Sequence, residues 1–222
     1  MKIKLVSYTT PAEGLLPEDA NLLDLIAFCA RVSNPSNQLN TGTADKLIAY
    51  LIKNKHWSPF EMASMTMEIE TTRDIARQIL RHRSFSFQEF SQRYADPTKD
   101  LSFETREARL QDTTNRQNSI DTTDGSLQMD WKLMQEAVIS TATAAYKWAI
   151  DRGIAKEVAR AVLPEGLTMS RMYMHGTVRS WIHYLEVRTS PSTQKEHREV
   201  AEAIAKVIGA LFPTIPRAQE DK

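Results

Sequence analysis

Polar and apolar residues alternate from the start of the chain. Ile3 and Leu5 sit between Lys2 and Lys4, and Val6 and Tyr8 follow, a period of two that predicts a half-buried strand over 2–9. Thr10-Pro11-Ala12-Glu13-Gly14 breaks it. From Pro17 the period changes to that of a helix of about fifteen residues, with Glu18 and Asp19 at its N-terminus and a stripe of Leu22, Leu23, Ile26, Ala27 and Ala30. A second helix is predicted from Thr43, a candidate N-cap, to Asn54. Between Met62 and Thr71 the alternation is cleanest: Met65, Met67 and Ile69 against Thr66, Glu68 and Glu70. This predicts a strand, with 2–9 as its antiparallel neighbour.

Thr71 or Thr72 then caps a predicted helix in which Arg73, Arg77 and Arg81 recur every four residues along one face, with Gln78 and His82 beside them. Residues 95–125 are polar and rich in Thr, Asn, Asp and Gly, and read as a long loop or mobile excursion, a lid or a subunit contact. The longest helix is expected from Ser126 to Arg152, with Leu127, Trp131, Met134, Val138, Thr141, Ala145 and Trp148 as its stripe and Gly153 as its stop. A short helix over 154–163 ends at Pro164. A strand over 166–174 is expected, with Leu167, Met169, Arg171 and Tyr173 in one phase. Helices follow over 177–187 and 194–212, and Pro213 and Pro216 open a tail read as frayed over 213–222. The chain reads as one domain over 1–222.

Composition narrows the classes. The 28 basic and 28 acidic side chains cancel, so no global field draws nucleic acid or a membrane, and any anion site must be a local cluster. The single cysteine, Cys29, excludes an internal disulfide and a thiolate metal cluster and fits a reducing, cytoplasmic setting. It lies in an apolar run, where core packing outweighs catalysis. No run of eighteen apolar residues suggests a membrane span.

Against that neutral background residues 78–94 stand out, with three arginines, one histidine, one carboxylate, three serines and four aromatic rings. Three like charges along a helix face repel unless an anion or carboxylates balance them, and aromatic rings beside arginines suit a flat ligand carrying phosphate. No glycine-rich phosphate loop and no metal-ligand spacing is present, so phosphate would be held by guanidinium forks or helix termini. His56-Trp57-Ser58-Pro59-Phe60-Glu61 is a second concentration of functional side chains, read either as a site or as a turn plugged by Trp57 and Phe60.

Arg81-His82-Arg83, seven residues, then Ser91, followed by Gln92 and Arg93, resembles the signature of flavin-dependent thymidylate synthases. His56, Gln78, Glu89, the run Glu157-Val158-Ala159-Arg160 with Leu163-Pro164, and Arg188 follow in the order that resemblance expects, over roughly residues 20–200. The resemblance implies an α+β subunit, an antiparallel sheet flanked by helices, in an intertwined homotetramer with sites between subunits. It implies FAD, dUMP as methyl acceptor, methylenetetrahydrofolate as carbon donor and NADPH as reductant. It assigns the nucleotide to Gln78, Arg81, Glu89, Ser91, Gln92, Arg93, Arg160 and Arg188. Flavin falls to Ser58, Arg81, His82, Arg83, Glu89, Arg179 and His183. Arg188 is the electrostatic catalyst at the uracil edge, with His56 as a further catalytic candidate and Ser91 positioning rather than attacking. Two departures are visible: Thr177, Arg179 and His183 stand where the family often has asparagines, and Gln92 stands where a small residue is common.

A nucleic-acid-binding helical module is the competing reading, with Arg73, Arg77, Arg81, Arg83 and Arg93 as cations and Phe85, Phe87, Phe90 and Tyr94 as stacking platforms. Zero net charge argues against it. A third reading pairs the arginine face with a neighbour's acids.

Overall fold

The computed structural model describes residues 1–215. In chain order its elements are β1 (Lys2–Tyr8), α1 (Leu22–Ala30), α2 (Ala44–Lys53), β2 (Ser64–Thr72), α3 (Arg73–Ile79), β3 (Ser86–Glu89), α4 (Pro97–Asp100), β4 (Arg109–Gln111), β5 (Ser119–Asp121), α5 (Gly125–Asp151), α6 (Lys156–Ala159), β6 (Met169–Thr177), α7 (Val178–Arg188) and α8 (Lys195–Leu211). The main sheet has the order β1-β2-β6-β3 and is antiparallel throughout. The fold is therefore α+β. Among the described residues no helix is long and apolar enough to cross a membrane.

The alternation in β2 decides which side of the sheet is covered. Met65, Met67 and Ile69 face inward, and their partners across β6 are Gly176, Met174 and Met172. On the opposite face the same register sets Glu70 against Arg171, Glu68 against Tyr173 and Thr66 against His175. Burying each large apolar side chain contributes roughly 1.5–3 kcal/mol, whereas a half-exposed ion pair such as Arg171–Glu70 contributes about 0–1 kcal/mol. The methionine face thus sets the orientation. α1, α2, α7 and α8 cover it, with Ile26, Ile48, Ile52, Trp181, Ile182, Val200 and Ile204 fully buried.

Several expectations are corrected. The first helix begins at Leu22, not Pro17, because Asn21 and Asp24 form a reciprocal capping box. Thr43 precedes α2 without capping it, since its hydroxyl accepts from Arg31 Nη2 at 2.8 Å. α3 stops at Ile79, so Arg81 lies in the turn beyond and not on a face with Arg73 and Arg77. The expected helix over 154–163 shrinks to α6 and one following tight turn. β6 begins at Met169 and runs in the opposite phase: Met172 and Met174 point inward, and Tyr173 outward. Methionines occur in both phases of this strand, and the match to Met67 and Ile69 selects one.

Residues 95–125 are not a free excursion. α4 and the β4–β5 hairpin lie within them, and Phe103 bridges to Thr168. Two amides of α5 hold the backbone between: Gln135 accepts from Arg106 N and donates to Arg106 O, both at 2.8 Å, and Gln128 does the same at Ala108, at 2.7 and 2.9 Å. The inner face of α5 is accordingly Gln135, Ala142, Tyr146 and Ala149, while its expected apolar stripe is largely exposed. The expected frayed tail begins too early, because Ile215 is buried and Thr214 donates to Asp45 at 2.8 Å. The remainder of that tail, 216–222, lies outside the described residues.

Gly176 has a specific task. A Cβ there would stand 2.6 Å from Cε1 of Phe85 and closer still to Cδ1, so only glycine lets this ring approach β6 so closely. Gly166 has open space around it. Gly176→Ala is expected to destabilise the protein by about 1–3 kcal/mol in urea melts, while Gly166→Ala stays within roughly 0.5 kcal/mol of wild type.

Candidate active site

α3 ends in successive tight turns, with Arg81 N–H donating to Gln78 O, His82 N–H to Ile79 O and Phe85 N–H to His82 O. Phe85, seated over Gly176, closes them from below, its ring 4.8 Å from Trp181 and 6.0 Å from Tyr184. Ser180 on α7 donates to Ser84 O at 3.1 Å. The buried ring and this hydrogen bond fix the turn, so Arg81, Arg83 and Ser84 face solvent while His82 folds back, half-buried, 5.0 Å from the Tyr184 ring. Arg188, the last residue of α7, donates its Nε to His82 Nε2 at 2.9 Å. A helix C-terminus favours a cation there.

Glu89 at the end of β3 is the nearest carboxylate hub. Its Oε1 accepts from Ser170 at 2.8 Å and lies 3.6 Å from Arg73, and its Oε2 is 3.3 Å from Arg77. Glu165 lies 3.8 Å from Arg73 and 3.6 Å from Arg77. The repulsion expected along α3 is therefore balanced by the chain's own acids, without a ligand or a neighbour. Around this turn Arg81, Arg83 and Arg188 have no carboxylate partner among the described residues, which leaves their charge available to an incoming anion.

Beyond the sheet edge, Arg93 meets Glu157 of α6 through Nε at 3.1 Å and Nη2 at 3.0 Å, and Arg160 Nε donates to Glu157 O at 3.3 Å. Arg93 and Arg160, far apart in sequence, so converge within one chain. Ser91 accepts from Arg93 N at 3.4 Å and has no histidine or aspartate contact among the described residues, which supports positioning over nucleophilic attack. Gln92 turns inward, with its Nε2 buried and without a hydrogen-bond partner among the described residues.

The loop 56–61 reaches the site from the other side. Lys55, with φ of 58°, is the residue after the α2 cap: its N–H donates to Ile52 O while His56 N–H donates to Leu51 O. This paired helix-end motif usually takes glycine at the left-handed position. Phe60 is fully buried and Trp57 stacks edge-on to His183 at 4.7 Å, so the plug reading of this loop holds for those two rings. His56 and Ser58 remain exposed, and Glu61 accepts from Arg179 at 2.8 Å. Ser58, Arg179 and His183 are thereby brought together.

Sequence reasoning missed a polar chain behind the turn. Gln78 Nε2 donates to Gln194 Oε1 at 2.7 Å, and Gln194 Nε2 donates to Glu196 Oε2 at 2.8 Å. His197, fully buried, lies 3.2 Å from both Gln78 Oε1 and the Tyr184 hydroxyl. One signal was available: His197 stands three residues before Val200, in phase with the apolar stripe of α8.

Burial, with the positive charge of Arg188, pushes His82 down to about 4, and burial with Arg188 and His82 pushes His197 down to about 3. Both are neutral at pH 7. Burial alone would raise Glu196, but hydrogen bonds from Gln194, its own backbone and Arg109 outweigh it and hold the carboxyl low.

The nucleic-acid reading loses its parts here. Phe85 is buried against Trp181, and Arg73 and Arg77 are engaged by Glu89 and Glu165. Residues 15–214 match the family model described as thymidylate synthase complementing protein. The chain is 50% identical over 220 residues to a flavin-dependent thymidylate synthase of Synechocystis, covering 99% of this chain and all of the relative. It is 48% identical over 219 residues to a probable flavin-dependent thymidylate synthase of Paramecium bursaria Chlorella virus 1, covering 98% of each. This chain belongs to the flavin-dependent thymidylate synthase family. Its fold also superposes, with a TM-score of 0.79 and 26% identity over 99% of this chain and 94% of the other, on a UMP/dUMP methylase from Streptomyces cacaoi bound with 5-Br dUMP.

Within this family member the two neutral histidines link stability to pH. Each has a folded pKa below its unfolded value of about 6.5, so protons bind the unfolded state first and stability falls as pH drops. Unfolding is expected to take up about one proton at pH 6.5, where the two unfolded imidazoles are half protonated, rising to close to two near pH 5, each costing up to about 1.4 kcal/mol per pH unit. His197→Leu should reduce the uptake near pH 5 to about one, read from urea melts at several pH values.

Proposed function

We propose that this chain makes thymidylate by reductive methylation of dUMP, with methylenetetrahydrofolate as carbon donor and NADPH reducing FAD. The observation that carries the reading is the Arg81-His82-Arg83 turn, clamped by Phe85 and Ser180 and joined to Arg188 through His82. The turn presents unpaired guanidiniums beside half-buried rings, a donor set that fits a ligand with both phosphates and a flat ring.

The nucleotide monophosphate needs charge-assisted donors, and guanidinium forks match its oxygens. Arg93 and Arg160 fill that role, with Glu157 holding them at one place in the absence of an anion. Gln78, Arg81, Glu89 and Ser91 complete the nucleotide wall, and the inward Gln92 supports the backbone beside Ser91. Arg81, His82, Arg83, Ser58, Glu89, Arg179 and His183 would hold FAD, which supplies the hydride that completes the methyl group.

The chemistry left to the chain is electrostatic. C5 of uracil becomes nucleophilic when negative charge on the ring is stabilised, and a fixed guanidinium at the ring edge does this by polarising the N3–H bond or by stabilising the anion left when that proton passes to solvent. Neutral His82 accepts from the Arg188 Nε without bringing an opposing charge to the guanidinium. Cys29 is only partly exposed on α1 and burial raises its thiol pKa, which opposes thiolate attack at C6. His56, exposed at the head of its loop, remains the candidate for ordering a co-substrate.

The purified protein is expected to bind FAD, to be yellow and to convert dUMP to dTMP with methylenetetrahydrofolate and NADPH. Arg188→Ala should lose turnover by at least 100-fold and weaken dUMP binding while keeping flavin, whereas Cys29→Ala stays active. A fully active Arg188→Ala enzyme would remove this residue from the mechanism.

The reading includes a homotetramer with sites shared between subunits, and α5 supports it. Leu127, Trp131, Met134, Val138 and Trp148 follow the alternating four- and three-residue spacing of helix–helix seams, yet Met134 is 61% and Trp148 54% exposed. Met134→Glu with Val138→Glu should shift the sedimentation coefficient from tetramer toward smaller species. An unchanged tetramer would place the assembly surface elsewhere.

A further inference from the structure

We propose that His197 and Tyr184 are positioning residues that anchor the oxygen end of the Gln78 amide in the orientation selected by Gln194 and Glu196, so that it meets the nucleotide as a donor of set direction. The inference rests on the reading above that Gln78 contacts dUMP.

The hydrogen bonds from Tyr184 to Glu196 form a chain with only one consistent polarity. It ends at Glu196, whose carboxylate lies 2.5 Å from Arg109 Nη2 and can only accept. Gln194 must therefore offer Nε2 to it, at 2.8 Å, which turns Gln194 Oε1 toward Gln78. Gln78 must then donate Nε2 to that oxygen, at 2.7 Å, which leaves Gln78 Oε1 facing His197 Nδ1 at 3.2 Å. An oxygen without a hydrogen needs a donor, so Nδ1 carries the proton. Nε2 of the neutral ring is then an acceptor, and the Tyr184 hydroxyl, 3.2 Å away, donates to it. Every link runs from Tyr184 toward Glu196.

Reversing the Gln78 amide would set oxygen against oxygen at Gln194 and, with Nδ1 protonated, hydrogen against hydrogen at His197. His197 is fully buried and Tyr184 is 2% exposed, so water cannot repair the mismatch at His197. Gln78 is thus left with one N–H and one oxygen lone pair uncommitted, in fixed order. The sequence carries this information in a single residue, a histidine in a phase of α8 otherwise filled by Val200, Ala201, Ile204 and Ile208. A purely apolar side chain there would fill space without choosing a direction for the amide.

The test compares His197→Leu, which keeps bulk without a donor, with His197→Asn, whose side-chain amide can donate from near the Nδ1 position. dUMP is titrated calorimetrically into each FAD-loaded protein, with flavin absorbance and thermal melts recorded alongside. Leucine is expected to weaken dUMP binding about tenfold with flavin retained, and asparagine to restore it to within about threefold. Equal weakening by both, or none by leucine, overturns the proposal. Should the leucine variant fail to fold, nitrogen-15 NMR of wild-type His197 decides: a proton on Nδ1 is expected, and one on Nε2 overturns it. Gln78→Ala separates the two levels. If that variant binds dUMP as wild type does, the contact between Gln78 and nucleotide is what fails, and the positioning role falls with it. If Gln78→Ala binds weakly while His197→Leu binds normally, only the positioning role is lost.

Discussion

The seating of Phe85 over Gly176 is the contact on which the site depends. One missing Cβ on β6 lets an aromatic ring lie against the sheet, and the ring holds down the turn between α3 and β3. The turn in turn decides which residues meet solvent and which fold back toward Arg188 and Tyr184. Packing is close to crystalline in such interiors, so the ring tolerates little displacement. The chemistry of the exposed arginines is thus set by a purely apolar contact behind them.

Electrostatics divides the arginines into two groups. Arg73, Arg77, Arg106 and Arg109 are neutralised by Glu89, Glu165, Asp74 and Glu196, and act as scaffolding. Arg81, Arg83 and Arg188 have no such acids among the described residues. A chain with no net charge thereby carries a strongly cationic spot, which favours a small anion over an extended polyanion. Neutral His82 keeps that spot from becoming more positive than three guanidiniums already make it.

Much of this was legible in the sequence. The phase of β2, its pairing with β1, the extents of α7 and α8 and the residues of the Arg81-His82-Arg83 turn all follow from local period and motif. What escaped was decided by contacts between distant segments. Asn21 outcompeted Glu18 and Asp19 as a helix start because a capping box satisfies two backbone donors where bare charges satisfy none. β6 offered methionines in both phases, so only its neighbour could choose one. The segment over 95–125 reads as unsupported because its partners, Gln128 and Gln135, are polar residues of α5 that an apolar period does not mark. On α5 the period was read correctly and its side was not, since an apolar stripe carries no mark saying whether its partner lies in the same chain. In the site, the arginines and Glu89 were named from the motif, whereas the acids that neutralise them and the Tyr184–His197–Gln78 chain needed the fold.

The loop bearing His56 and Ser58 has one stiff end and one soft end. It leaves α2 through Lys55, a side-chain-bearing residue held in the left-handed region at a cost of about 1 kcal/mol, with two hydrogen bonds closing the helix around it. A glycine there would leave the backbone free to swing, and lysine does not. At its far end the loop is tied to α7 by the Arg179–Glu61 pair, which is exposed and exchanges readily with water. With Phe60 buried between these two ends, the loop is held by unlike means. A change at Lys55 would act on it through the backbone, whereas a change at Glu61 or Arg179 would act through charge and would be weakened by salt.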